Sequence, residues 1–129
     1  MSTPIDVGIC IMKPDGPWRF DPDILKPLIA DRWPQVSFRP PSRATSCRWY
    51  IDLPYSPGRF LYGFICPSGT QVGVQGDAAD SIPFILWLLK AVPQEVELGL
   101  ADYHDPTDFF PITRETSATA IVPFCGSRS

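Results

Sequence analysis

The chain has 129 residues, 44% hydrophobic and 19% charged, with a net charge of −3. That balance excludes a disordered chain and is long enough to bury a core, so a single domain over residues 1–129 is expected. The acidic total argues against nucleic acid as a partner, and no apolar run reaches the ~20 residues a membrane-spanning helix takes.

In chain order, "IDVGICIM" alternates Ile5, Val7, Ile9 and Ile11 against Asp6, Gly8, Cys10 and Met12, a strand pattern. "DPDILKPLIADRW" follows a turn and reads as a helix, with Asp21 as its cap and Pro22 at its first position. Pro27 is expected to kink or shorten it, and Pro34 to end it. "VSFRP" is a short strand. "CRWYIDL", "RFLYGFIC" and "TQVGVQGD" are joined by short turns and predict an antiparallel meander over 46–53, 58–66 and 70–76. An apolar helix over 82–92 comes next, capped by Asp80 or Ser81 and stopped by Pro93. "EVELGLAD" returns to alternation, with Val96, Leu98 and Leu100 inward. "YHDPTDFFPI" is expected to be a loop, and a short helix to start at Thr113. The order implies an α+β fold: a mainly antiparallel sheet of about five or six strands with two helices packed on one face.

The second helix poses a packing question. Ile82, Ile85, Leu86 and Leu89 form the stripe that packs on a sheet, but Phe84, Trp87, Leu88 and Ala91 form another. Three covers are open: the first helix, the C-terminal segment around Ile121, Val122 and Phe124, or another protein, a second copy of this chain included. A Trp and Phe exposed together would mark a contact patch.

The N-terminus has neither the basic region nor the long apolar core of a secretory signal, which predicts a cytoplasmic protein. Cys10, Cys47, Cys66 and Cys125 show no close spacing, so reduced, buried thiols are expected rather than disulfides or a metal site with His104. No cofactor is implied. His104 is the only histidine, and no nucleophile motif accompanies it, so an enzyme using the His104 loop is the lesser reading.

Charge is unevenly distributed. Residues 1–66 carry +2 and residues 67–129 carry −5. Within 91–110, Glu95, Glu97, Asp102, Asp105 and Asp108 occur with no Lys or Arg between them. These acids, with His104 among them, are a candidate surface for a basic partner. The competing surface is the sheet face carrying Arg48, Tyr50 and Arg59.

A sheet meander followed by "WLLKAVPQEVELGLAD" and an acidic loop resembles the small immunity proteins encoded beside bacterial polymorphic toxins, including those of contact-dependent and type VI secretion systems. The resemblance spans roughly residues 46–112 and is one of segment order, without a diagnostic motif. It implies tight binding of a cognate protein toxin, and the acidic half would suit a basic one such as a nuclease or an ADP-ribosyltransferase. A small adaptor or chaperone offering the 82–92 helix is the alternative.

Overall fold

The computed structural model describes residues 4–13, 16–43, 45–52, 60–102, 105–113 and 115–117. Its strands are β1 (Pro4–Ile11), β2 (Val36–Arg39), β3 (Cys47–Asp52), β4 (Phe60–Ile65), β5 (Gln71–Asp77), β6 (Leu98–Asp102) and β7 (Asp105–Ile112). Helix α1 (Pro22–Arg32) separates β1 from β2, and α2 (Ala78–Ala91) separates β5 from β6. They form one seven-stranded sheet in the order β2-β3-β4-β5-β1-β6-β7, every neighbouring pair antiparallel. The α+β class and the β3-β4-β5 meander are as expected. The strand count exceeds expectation.

Alternation decides which side chains meet the helices. In register, Trp49 lies opposite Gly63, Gly63 opposite Val74, Val74 opposite Val7, and Ile9 opposite both Val72 and Leu100. These positions share the inner face, and the side chains there are buried. Leu25 and Ile29 of α1 and Ile82, Phe84, Ile85, Leu88 and Leu89 of α2 close over them. Gly63 is required there: a Cβ at that position would run into the Trp49 indole. Trp49 is thereby fully buried in the middle of the core.

Asp21 caps α1, its carboxylate accepting from the Asp23 amide at 2.9 Å. Pro27 does not end the helix, which runs to Arg32, and the Trp33 amide closes the last turn on the Ile29 carbonyl at 2.8 Å. For α2 the expected cap is corrected. Asp77 caps it, accepting from the Ala79 amide at 3.0 Å, so the helix starts at Ala78. β5 passes into α2 without a loop, and Asp80 falls in the first turn, where its charge suits the positive end of the helix dipole.

The second stripe of α2 is covered from within the chain. The Trp33 ring lies 5.2 Å from Phe84 and 5.1 Å from Trp87, centroid to centroid. Phe84 is also 6.0 Å from Trp49, so the aromatic contact reaches down to the sheet. Phe84 and Leu88 are buried, Trp87 is half-buried and only Ala91 is exposed.

Three further expectations change. The segment expected to be a loop after β6 is the edge strand β7 from Asp105 onward, its Pro111 opposite Gly99. An edge tolerates proline because one side of the strand has no ladder bonds to lose. Residues 95–97 precede β6 rather than belonging to it; the Val96 amide donates to the Pro93 carbonyl at 3.1 Å in a turn. At Thr113 the described residues form a turn, not a helix, with the Thr113 amide bonded to Thr116 Oγ1 at 2.7 Å. Ile121, Val122, Phe124 and Cys125 lie outside the described residues. No helix among the described residues is long and apolar enough to cross a membrane.

Candidate functional site

Among the described residues no helix lies on the outer face of the sheet, and its side chains follow from the same register. One row runs Ser37, Tyr50, Tyr62, Gln75 and Asp6 across five strands. The next runs Arg39, Arg48, Phe64, Gly73, Gly8 and Ala101. Arg39 and Arg48 are therefore directly opposed, which repels. The structure separates them. The Arg39 guanidinium sits 4.9 Å over the Tyr50 ring, while Arg48 donates from Nε and Nη2 to the Pro40 carbonyl at 3.2 and 3.1 Å.

The aromatic side chains form a continuous strip. Tyr50 and Tyr62 face each other across β3 and β4 at 5.0 Å, and Tyr62 lies 6.1 Å from Phe64. Phe64 is only 8% exposed although it is on this face, because its ring lies across Gly73, where any Cβ would meet it. The Gln71 amide likewise lies across Gly8. Beyond the strip, Gln75 Nε2 donates to Asp6 Oδ2 at 2.9 Å. The glycines of β5 and β1 are thus covered by Phe64 and Gln71, beside an aromatic and arginine ridge on β2 to β4.

A third row holds Cys66, Gln71 and Cys10. Cys10, Cys47 and Cys66 are free thiols; Cys47 is buried on the inner face, while Cys10 and Cys66 are half-buried on the outer face, where burial of all of them had been expected. Two strand spacings separate the outer pair, ~9.5 Å between Cα atoms, beyond the ~7 Å reach of a disulfide. Burial alone would raise the Cys66 thiol. Hydrogen bonds from Ser68 and Thr70 and from the Thr70 and Gln71 backbone together hold it below its ordinary value. Burial, and secondarily the Cys66 charge, pushes Cys10 up to about 11. Burial also raises Cys47, against the opposing pull of Lys26. Among the described residues no cluster of His, Cys, Asp and Glu could hold a metal ion.

The acidic candidates are not gathered at one point. Glu95 and Glu97 are exposed before β6, whereas Asp102 ends it, roughly 16 Å further along at ~3.3 Å per residue. Asp105 pairs with Asp102 at the start of β7, and Asp108 lies within that strand. The side chains of Asp102, Asp105 and Asp108 lie outside the described residues, as do His104 and Arg59 altogether. Glu97 also has a base that its own segment lacks: Lys13, which follows β1, reaches it at 3.4 Å. Both partners are well exposed, so the pair contributes at most about 1 kcal/mol.

Of the competing surface, Arg48 and Tyr50 sit together on the outer face. Sequence reasoning missed Tyr62, Phe64, Gln75 and Asp6 as their neighbours. The signal was present in "FLYGFI", where Leu61, Gly63 and Ile65 alternate inward against Tyr62 and Phe64. Comparison with protein-family models, curated proteins and solved structures finds no match.

Proposed function

We propose that the protein binds and neutralises a cognate bacterial toxin in the manner of an immunity protein, and that the β2–β4 part of the outer face is its contact surface. The observation that carries this reading is the ridge of exposed Arg39 and half-buried Arg48, Tyr50 and Tyr62, built on strands whose other face is anchored in the core. Tyr and Arg are the side chains that most often dominate binding energy at protein interfaces. Here they are already ordered by one another, so little conformational freedom is left to lose on binding. Glu95 and Glu97 lie elsewhere, outside the contact on this reading. An adaptor offering α2 would need a stripe whose Phe84 and Leu88 are already buried.

The test is co-expression with the protein encoded beside this chain. That protein alone should arrest growth, and this chain should restore it. Combined Tyr50→Ala and Tyr62→Ala should abolish the rescue while the variant remains folded by circular dichroism. Hot-spot truncations of this kind cost about 2 kcal/mol or more each. A harmless neighbour, or undiminished rescue by the folded double variant, would refute the reading.

A further inference from the structure

We propose that the cleft between the end of α2 and the start of β6 is a binding site for a small organic cation with an apolar body, an alkyl or aryl amine or guanidine. The inference is independent of the toxin-binding reading and concerns another part of the molecule. The cleft has a volume of about 470 Å³, within the range of small-molecule sites. Its walls are apolar: Leu89 from α2, Val92 capping its end, Leu98 from β6, Ile112 from β7, with Met12 and Val96 also lining it. Leu89, Val92, Leu98 and Ile112 are buried, so the walls are fixed by the core behind them, while Met12 is 38% exposed and borders solvent.

Three features at this cleft favour positive charge. Glu97 and Glu115 both line it, and both are exposed. Glu115 is oriented by its own turn: Thr113 Oγ1 donates to Glu115 Oε2 at 3.2 Å, and the Glu115 amide donates to Thr113 Oγ1 at 3.3 Å. Third, α2 ends against the cleft, with Leu89, Val92 and Pro93 among the lining residues. A helix C-terminus carries partial negative charge on carbonyls that lack intrahelical donors, and Pro93 has no N–H to offer the Leu89 carbonyl. Among the described residues that line the cleft, none is basic. Lys13 approaches Glu97 from outside it, in an exposed pair that a ligand's cation can replace at small cost.

The apolar walls and the charged mouth together select the ligand. A neutral apolar molecule would fill the walls but gain nothing from the two exposed carboxylates at the mouth. An anion of the same shape would meet like charge. Only an apolar body carrying a cation satisfies both.

Methyl-labelled NMR titration with n-octylammonium, n-octanol and n-octanoate, each below its aggregation threshold, tests this. Octylammonium should shift the methyls of Leu89, Val92, Leu98 and Ile112 in a saturable way. It should bind about fivefold more tightly than octanol, the ratio expected from roughly 1 kcal/mol of exposed ion pairing, and octanoate should be weakest. Glu97→Gln with Glu115→Gln should bring octylammonium to the octanol level and leave octanol unchanged. The two sites are exposed, so the variant should fold as the parent does. Octanoate binding as tightly as octylammonium, shifts confined to the exposed Ile24 and Leu28 of α1, or no saturable binding would each overturn the proposal.

Discussion

Replacing Trp33 with alanine removes the cover that the end of α1 gives to the second α2 stripe. The indole sits at the end of α1, half-buried, with Phe84 and Trp87 at 5.2 and 5.1 Å. Removing about 100 Å² of apolar surface from the buried account costs about 2.5 kcal/mol at ~25 cal/mol/Å². The two ring contacts add about 1 kcal/mol together. Residual burial in the unfolded chain trims the total, leaving an expected loss of about 3 kcal/mol. The backbone should not change, because the Trp33 amide still closes the helix on Ile29. Urea unfolding followed by far-ultraviolet circular dichroism measures the loss. Ile24→Ala, on the same helix at 63% exposure, is the control and should cost less than about 0.5 kcal/mol. A Trp33→Ala loss below about 1 kcal/mol, or one matched by Ile24→Ala, would mean that something other than α1 covers Phe84.

Asp77→Ala should cost about 1 kcal/mol through loss of the α2 cap, measured by the same unfolding assay. Ser81 is fully buried and its hydroxyl has no hydrogen-bond partner among the described residues, so Ser81→Ala should raise stability by about 1 kcal/mol, by removing a desolvated hydroxyl and improving helix propensity. Alkylation by iodoacetamide at pH 7, followed by peptide mass spectrometry, should modify Cys66 before Cys10 and Cys47. A lowered pKa means more thiolate at that pH, and a raised one means less. Equal labelling of Cys10 and Cys66 would contradict the hydrogen-bond account of the Cys66 thiol.

Most of the fold was legible because alternation and helical periodicity are local. Cys47, Trp49 and Ile51 against Arg48, Tyr50 and Asp52 fix a strand and its two faces without reference to the rest of the chain. What local patterns miss is set by distant partners. Pro106 and Pro111 made the β7 segment resemble a loop, and only its place at the sheet edge makes those prolines tolerable. Asp80 and Ser81 looked like the cap because nothing local says that β5 runs straight into a helix at Asp77. The acidic set was read as one surface from its closeness in sequence, yet β6 places Glu97 and Asp102 at opposite ends. Conversely, Lys13 meets Glu97 because β1 and β6 are neighbours, with the Met12 amide bonded to the Glu97 carbonyl at 2.9 Å.

The insertion of β1 between β5 and β6 has a consequence for the two proposed surfaces. It puts β3, which carries Tyr50, four strand spacings from β6, about 19 Å at ~4.8 Å each. Tyr50 also points to the outer face, whereas Leu98 and Ile112 in the cleft belong to the inner one. Among the described residues, the packed centre of the sheet lies between them, where Val74, Val7, Ile9 and Leu100 are buried. Sites so separated should act independently. Combining Tyr50→Ala with Glu97→Gln should therefore change unfolding free energy by the sum of the single effects, to within about 0.5 kcal/mol. The same double variant should bind octylammonium as Glu97→Gln alone does. Departure from either rule would show that the sheet couples its two ends, and that the ridge and the cleft are parts of one site.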